Sequence, residues 1–132
     1  MKTRILLVDD ECEYSSMLKG RLEAAGYFDV REENNELLAV SAAREFAPDI
    51  VLLDVMMPHL EGSEVAARFR ADRLLRDVPI LFLTALVSEE DAPDGSCSSG
   101  GNTFLPKSLS IEKLMDCIAQ AIALSRRASV AV

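Results

Sequence analysis

Positive charge is scarce in this sequence. Lys and Arg number 14 against 22 Asp and Glu, a formal net charge of −8 at pH 7. The chain therefore lacks the basic surface that contact with a phosphate backbone requires, and direct nucleic-acid binding is not expected. Long apolar runs are missing too. Ile5 to Val8 and Ile50 to Leu53 fall far short of the ~20 residues that span a bilayer. Met1-Lys2-Thr3-Arg4 leads straight into an apolar run, with no room for a secretory core and cleavage site. The expected compartment is the cytoplasm, without membrane insertion. Cysteine is sparse and unpaired in its spacing: Cys12, Cys97 and Cys117 are an odd, scattered set, which argues against a disulfide framework or a thiolate metal site. No repeat, low-complexity tract or linker interrupts the chain. A single unit over residues 1–127 with a short tail over 128–132, and no output domain, is the expected organisation.

The residues that are present fit one globular domain. Apolar residues make up 49% and charged residues 27%, and a chain of this length can bury about two-thirds of its unfolded surface. Strand-like runs alternate with segments of helical period, which implies a parallel sheet with helices on both faces. Ile5-Leu6-Leu7-Val8 is continuously apolar, as a strand buried on both sides should be, and it stops at Asp9-Asp10-Glu11. Tyr14, Met17, Leu18, Leu22 and Ala25 then recur at helical intervals up to Gly26, a helix stop. A weaker strand covers Phe28 to Arg31. Asn34 or Asn35 caps a helix carrying Leu38, Ala42 and Phe46, which ends before Pro48. Ile50-Val51-Leu52-Leu53 ends at Asp54, and a third helix begins near Ser63, after Pro58 and Gly62. Ile80-Leu81-Phe82-Leu83 ends at Thr84. Residues 88–102, broken by Pro93, Gly95, Gly100 and Gly101, read mainly as loop. A short strand, Thr103-Phe104-Leu105, meets Pro106-Lys107, and Ser110 caps a last helix with Ile111, Leu114, Ile118, Ala121 and Ile122 on one face. Beyond Arg127 the helical signature stops.

The polar residues fall where a parallel sheet places its ligand site, at the carboxyl ends of the strands. Asp9 and Asp10 follow the first run, Asp54 the third, Thr84 the fourth and Lys107 the last. Each alone has an ordinary reading as a turn, cap or surface residue, but the set does not. Three crowded carboxylates repel unless a cation neutralises them. A hard divalent ion such as Mg²⁺, or Mn²⁺ in its place, suits a few carboxylates, retained waters and a phosphate oxygen. A carboxylate can also attack phosphorus to form an aspartyl phosphate, with Lys107 and Thr84 placed to meet the phosphoryl oxygens.

At this point the sequence resembles the response-regulator receiver family of two-component systems. The resemblance rests on Ile5 to Glu11, on Val51-Leu52-Leu53-Asp54-Val55-Met56-Met57-Pro58 with Gly62, on Leu83-Thr84-Ala85 and on Phe104-Leu105-Pro106-Lys107. It implies the flavodoxin-like doubly wound fold, a five-stranded parallel sheet in the order 2-1-3-4-5 with helices on both faces. It also implies that Asp54 is the phosphoacceptor and that Asp9, Asp10, Asp54 and the Met56 carbonyl hold the metal. Thr84 and Lys107 would contact the phosphoryl group, and Phe104 with Thr84 would form the switch. The implied partners are a sensor histidine kinase or histidine phosphotransfer protein and a downstream protein target. The implied catalysis is limited to the receiver's own phosphorylation and dephosphorylation.

Two departures stand out. Family members usually carry proline after the lysine, where Ser108 stands here; a cis bond without proline costs ~2.5–4 kcal/mol, so Lys107-Ser108 is expected to be trans. The glycine- and proline-broken stretch within residues 88–102 occupies the place of the family's fourth helix, which is expected to be short or replaced by loop. A phosphotransfer role for His59 is not favoured, because it follows Pro58 in a loop. A small phosphohydrolase of the haloacid-dehalogenase type would use similar groups, but it needs a D-x-D pattern on its first strand, which Asp9-Asp10-Glu11 lacks.

Overall fold

The computed structural model describes residues 2–85, 97–99 and 102–130. In chain order the elements are β1 (Thr3–Val8), α1 (Cys12–Ala24), β2 (Phe28–Glu33), a 3₁₀ turn (Glu36–Leu38), α2 (Ala39–Phe46), β3 (Ile50–Asp54), α3 (Gly62–Ala71), β4 (Ile80–Thr84), β5 (Cys97–Ser99), β6 (Asn102–Pro106) and α4 (Ile111–Val130). The sheet order is β2-β1-β3-β4-β6-β5. The first five strands of that order are mutually parallel, in register Ile5 with Val30 and Ile50, Leu52 with Leu81, and Leu83 with Leu105. This is the expected 2-1-3-4-5 arrangement. The short strand β5, antiparallel to β6 at the edge, is an addition to the five expected strands.

Strand side chains alternate between the two faces, and the core divides accordingly. Ile5, Leu7, Ile50, Leu52, Leu81, Leu83 and Leu105 pack beneath α1 and α4 through Leu18, Leu22, Leu114 and Ile118. Leu6, Val8, Val51, Leu53 and Phe82 pack beneath α2 and α3 through Ala39, Ala42, Ala43, Val65 and Phe69. Both faces of β1 and β3 are covered, which is why those strands read as unbroken apolar runs.

Helix ends follow the signals only in part. Gly26 takes φ +89 just past α1, the left-handed position that glycine occupies without steric cost. The Asn35 side chain accepts from the Leu37 N–H, capping the 3₁₀ turn rather than α2 itself. Leu38 is half exposed, and α2 buries three alanines instead. Met17, read as part of the apolar stripe, is also exposed. At the other end of the chain, α4 continues past Arg127 to Val130. Alanine and arginine are strong helix formers, and an anchored helix propagates through them without an apolar stripe.

Within the stretch expected to be loop, Cys97–Ser99 forms β5, because an exposed strand edge offers unpaired backbone groups to any adjacent extended segment. Residues 86–96 and 100–101, including the acidic run Glu89-Glu90-Asp91 and the place of the family's fourth helix, lie outside the described residues. None of the described peptide bonds is cis, so Lys107–Ser108 is trans as expected. Among the described residues no helix is long and apolar enough to cross a membrane.

Candidate functional site

The parallel register brings four strand ends to one rim. Asp9 leaves β1, Asp54 ends β3, Thr84 ends β4, and Lys107 follows β6, with its N–H donating to the Thr84 carbonyl at 2.9 Å. Asp9, Asp54 and Thr84 are all buried. The Lys107 ammonium sits among three carboxylates, 2.8 Å from Asp9 Oδ2, 3.1 Å from Glu11 Oε1 and 3.5 Å from Asp54 Oδ1. Asp9 Oδ2 meets the ammonium as an ion pair. Its other oxygen accepts the Glu11 N–H at 2.9 Å, which curls the loop back over the rim.

The electrostatics follow from this crowding. Burial first, and then the neighbouring Asp9 carboxylate, raise the Asp54 pKa from 3.8 to about 6, against the opposing pull of Lys107 and a hydrogen bond from the Met56 N–H. Burial acts to lower the Lys107 pKa, but its hydrogen bonds and charge contacts with Asp9 and Glu11 win and hold it above the ordinary lysine value. A cationic Lys107 is thus fixed at the rim at all physiological pH.

One oxygen each from Asp9, Glu11 and Asp54 lies within 4.8 Å of the others. Three hard oxygen donors in the reach of one ion, two of them buried, fit a divalent cation that prefers carboxylates and water. Asp10, expected as half of an acidic pair, is not among these three. Glu11, which is among them, was given no role by sequence reasoning; its only signal was adjacency to Asp9 and Asp10. The Met56 side chain is exposed, and its backbone N–H serves the Asp54 carboxylate. His59 is exposed in the bend after β3, away from any helix face.

Two residues read in the sequence as a motif glycine and a candidate cap support the rim in ways the sequence did not show. Gly62, the first residue of α3, donates its N–H to the Val55 carbonyl at 2.8 Å, and a Cβ built on it would lie 2.5 Å from the Asp54 carbonyl oxygen. Only glycine lets α3 start this close to the end of β3. The Asn34 amide donates to the Asp9 carbonyl at 2.7 Å and to Ser15 Oγ at 2.9 Å, while Ser15 Oγ in turn lies 2.9 Å from Glu32 Oε2. This network joins β2 and α1 behind the acidic loop. Phe104, half-buried, stacks on Phe82 with ring centroids 5.0 Å apart and an interplanar angle of 22°.

The model of the response regulator receiver domain matches residues 5–119. The chain belongs to that family. The transcriptional regulator RpaA of Synechocystis sp. is 36% identical to this receiver over 124 residues, covering 94% of this chain and 49% of that protein. The polar-differentiation response regulator DivK of Brucella anthropi is 29% identical over 121 residues, covering 89% of this chain and 94% of that one. The solved chemotaxis response regulator CheY4 of Vibrio cholerae is 27% identical with a TM-score of 0.76, over 92% of this chain and 99% of that one. This receiver spans about half the length of RpaA and of the Pseudomonas aeruginosa regulator PhoB.

Proposed function

We propose that the protein is a phosphorylation-dependent signalling switch in which Asp54 accepts a phosphoryl group. The observation that carries this reading is the buried Asp54 carboxylate at the end of β3, held beside a fixed ammonium and within one ion's reach of Asp9 and Glu11. A free Asp54 oxygen attacks the phosphorus of a phosphohistidine on a sensor kinase or phosphotransfer protein. A P–O bond forms to Asp54, the P–N bond breaks, and the imidazole leaves with its electron pair and takes up a proton. Water later cleaves the acyl phosphate and returns the carboxylate.

Asp9, Asp54 and Glu11, with Asp10 and the Met56 carbonyl as the further donors implied by the family, would hold Mg²⁺ or Mn²⁺. When bound, such an ion supplies positive charge against the phosphoryl oxygens. Lys107 supplies a second positive charge opposite the acidic loop. The Thr84 hydroxyl, next in the rim, closes on the third oxygen. Phe104 lies on β6 three residues before Lys107 and carries the change outward, its stacked contact with Phe82 being the packing that must give. A downstream protein in the cytoplasm reads the altered surface.

Intact mass after incubation with Mg²⁺ and acetyl phosphate tests the reading. A gain of one phosphoryl group that is lost in Asp54→Asn and in excess chelator is expected. Labelling of Asp54→Asn equal to the parent overturns it.

A further inference from the structure

Apart from Asp54, the groups described around the Lys107 ammonium come from a single stretch of chain. Asp9 and Glu11 reach its ammonium from the loop after β1, and Tyr14, in the first turn of α1, places its ring under the same group, 4.7 Å from Nζ to the ring centroid. The Tyr14 hydroxyl also reaches the Lys107 carbonyl in a long contact of 3.5 Å across 93 residues of sequence. One side chain therefore touches both ends of the lysine. The position after Lys107 is Ser108, so no proline ring stiffens the backbone there, and the orientation must come from outside the β6 segment.

We infer that Tyr14 is the positioning residue for Lys107, its ring face holding the ammonium against Asp9 and Asp54 and its hydroxyl bracing the lysine main chain. The inference rests on the proposed role of Asp54 for its consequence, but not for its geometry. A cation over an aromatic face within ~6 Å of the centroid is attracted by the ring quadrupole, more strongly where water is partly excluded. Tyr14 is half-buried against the core beneath α1, so its ring cannot turn freely away. On the other side the carboxylates pull the ammonium toward the acidic rim. A lysine stem has several rotatable bonds and considerable rotamer entropy. Confined between ring and carboxylates, it presents its charge at one place, where developing phosphoryl charge would need it.

The test has a spectroscopic and a kinetic arm. In the parent protein, without metal or phosphodonor, the Lys107 ε-methylene protons are expected upfield of the other lysines, from the ring current, and in Tyr14→Leu they return to the common position. Unshifted Lys107 ε protons in the parent overturn the inference, whatever the outcome at Asp54, and this arm needs no variant to fold. In the kinetic arm, Asp54 phosphorylation by acetyl phosphate with saturating Mg²⁺ is expected to slow about three- to tenfold in Tyr14→Leu and less in Tyr14→Phe, which keeps the ring. In a Lys107→Ala background the Tyr14→Leu effect should vanish. An equal slowing in both backgrounds means that Tyr14 acts as core packing alone and overturns the inference. Failure of Asp54→Asn to abolish labelling strikes the proposed function instead.

Discussion

The two ends of this sheet carry similar residues and treat them differently. At the amino ends of the strands, Asp49 accepts the Arg4 N–H at 2.8 Å, and the Arg4 guanidinium lies over the Phe46 ring. Ser125 donates to the Asp77 carbonyl, and Arg70 donates to the carbonyls of Arg76 and Val78. Each of these four side chains is tied to nearby backbone or to a ring. At the carboxyl ends, Asp9, Glu11 and Asp54 face one another around one ammonium. A charged residue at a strand end is therefore not by itself a sign of a site. Crowding is the sign, because like charges held together in a buried rim keep free energy that a bound cation or an incoming group can release.

The sharpest way to break this comparison is to remove Lys107, the cation that the described residues bring to the crowded end. Lys107→Ala leaves Asp9 and Asp54 buried without their counter-charge. In chelator at pH 7, urea unfolding should show a loss of about 3 kcal/mol. The loss should shrink as pH falls toward 5, because Asp54, its affinity for protons raised further once Lys107 no longer opposes burial, takes one up. Added Mg²⁺ should restore part of it. A loss independent of pH and metal would mean that the aliphatic stem of Lys107 matters and its charge does not.

Gly62→Ala should cost somewhat less. Its Cβ would meet the Asp54 carbonyl oxygen at 2.5 Å, so either α3 or the end of β3 must shift, at about 2 kcal/mol. Because the obstacle is the backbone of the acceptor residue, the rate of Asp54 phosphorylation should fall along with the melting temperature. A stable variant with normal labelling would show that the rim tolerates movement.

Asp54→Asn should have the opposite sign in metal-free protein. The folded pKa is raised from 3.8 to about 6 by burial and by Asp9. Asp54 therefore stabilises the fold fully below pH 3.8, and that contribution is lost as pH rises through 6. At pH 7 the ionised group is a burden, so the Asn variant should be more stable by about 1 kcal/mol, the shift, which already includes the pull of Lys107, being discounted for the solvent that screens the rim. Near pH 4 the two proteins should unfold at the same urea concentration. A gain that is constant from pH 4 to pH 7 would rule out titration of Asp54 as its cause.

The smallest effect belongs to the other end of the sheet. Asp49→Ala removes an acceptor from an exposed backbone N–H, which costs about 0.5–1 kcal/mol. It should leave Asp54 labelling and its Mg²⁺ dependence unchanged. A change in either would mean that the two ends are coupled through β1 or β3, and that the contrast between them is one of degree.

What could be read from the sequence were the features that neighbours along the chain decide. The apolar runs of β1, β3 and β4 and the left-handed stop at Gly26 follow from short-range sterics and from burial on both faces of a parallel sheet. The rim membership of Asp9, Asp54, Thr84 and Lys107 follows from the same reasoning, since a strand's polar terminator must sit at its end. The tertiary structure alone decided which of those groups touch. Glu11 rather than Asp10 joins the carboxylate cluster because the Glu11 N–H folds back onto Asp9. Tyr14, written as one apolar position in a helical stripe, lies under an ammonium 93 residues away. Gly62 matters through a backbone oxygen that no spacing rule identifies, and β5 exists as a strand only because the edge of β6 was open to it. Periodicity sets an element and its faces within a few residues; convergence of side chains depends on how elements far apart in sequence are registered and packed, and no local pattern carries that information.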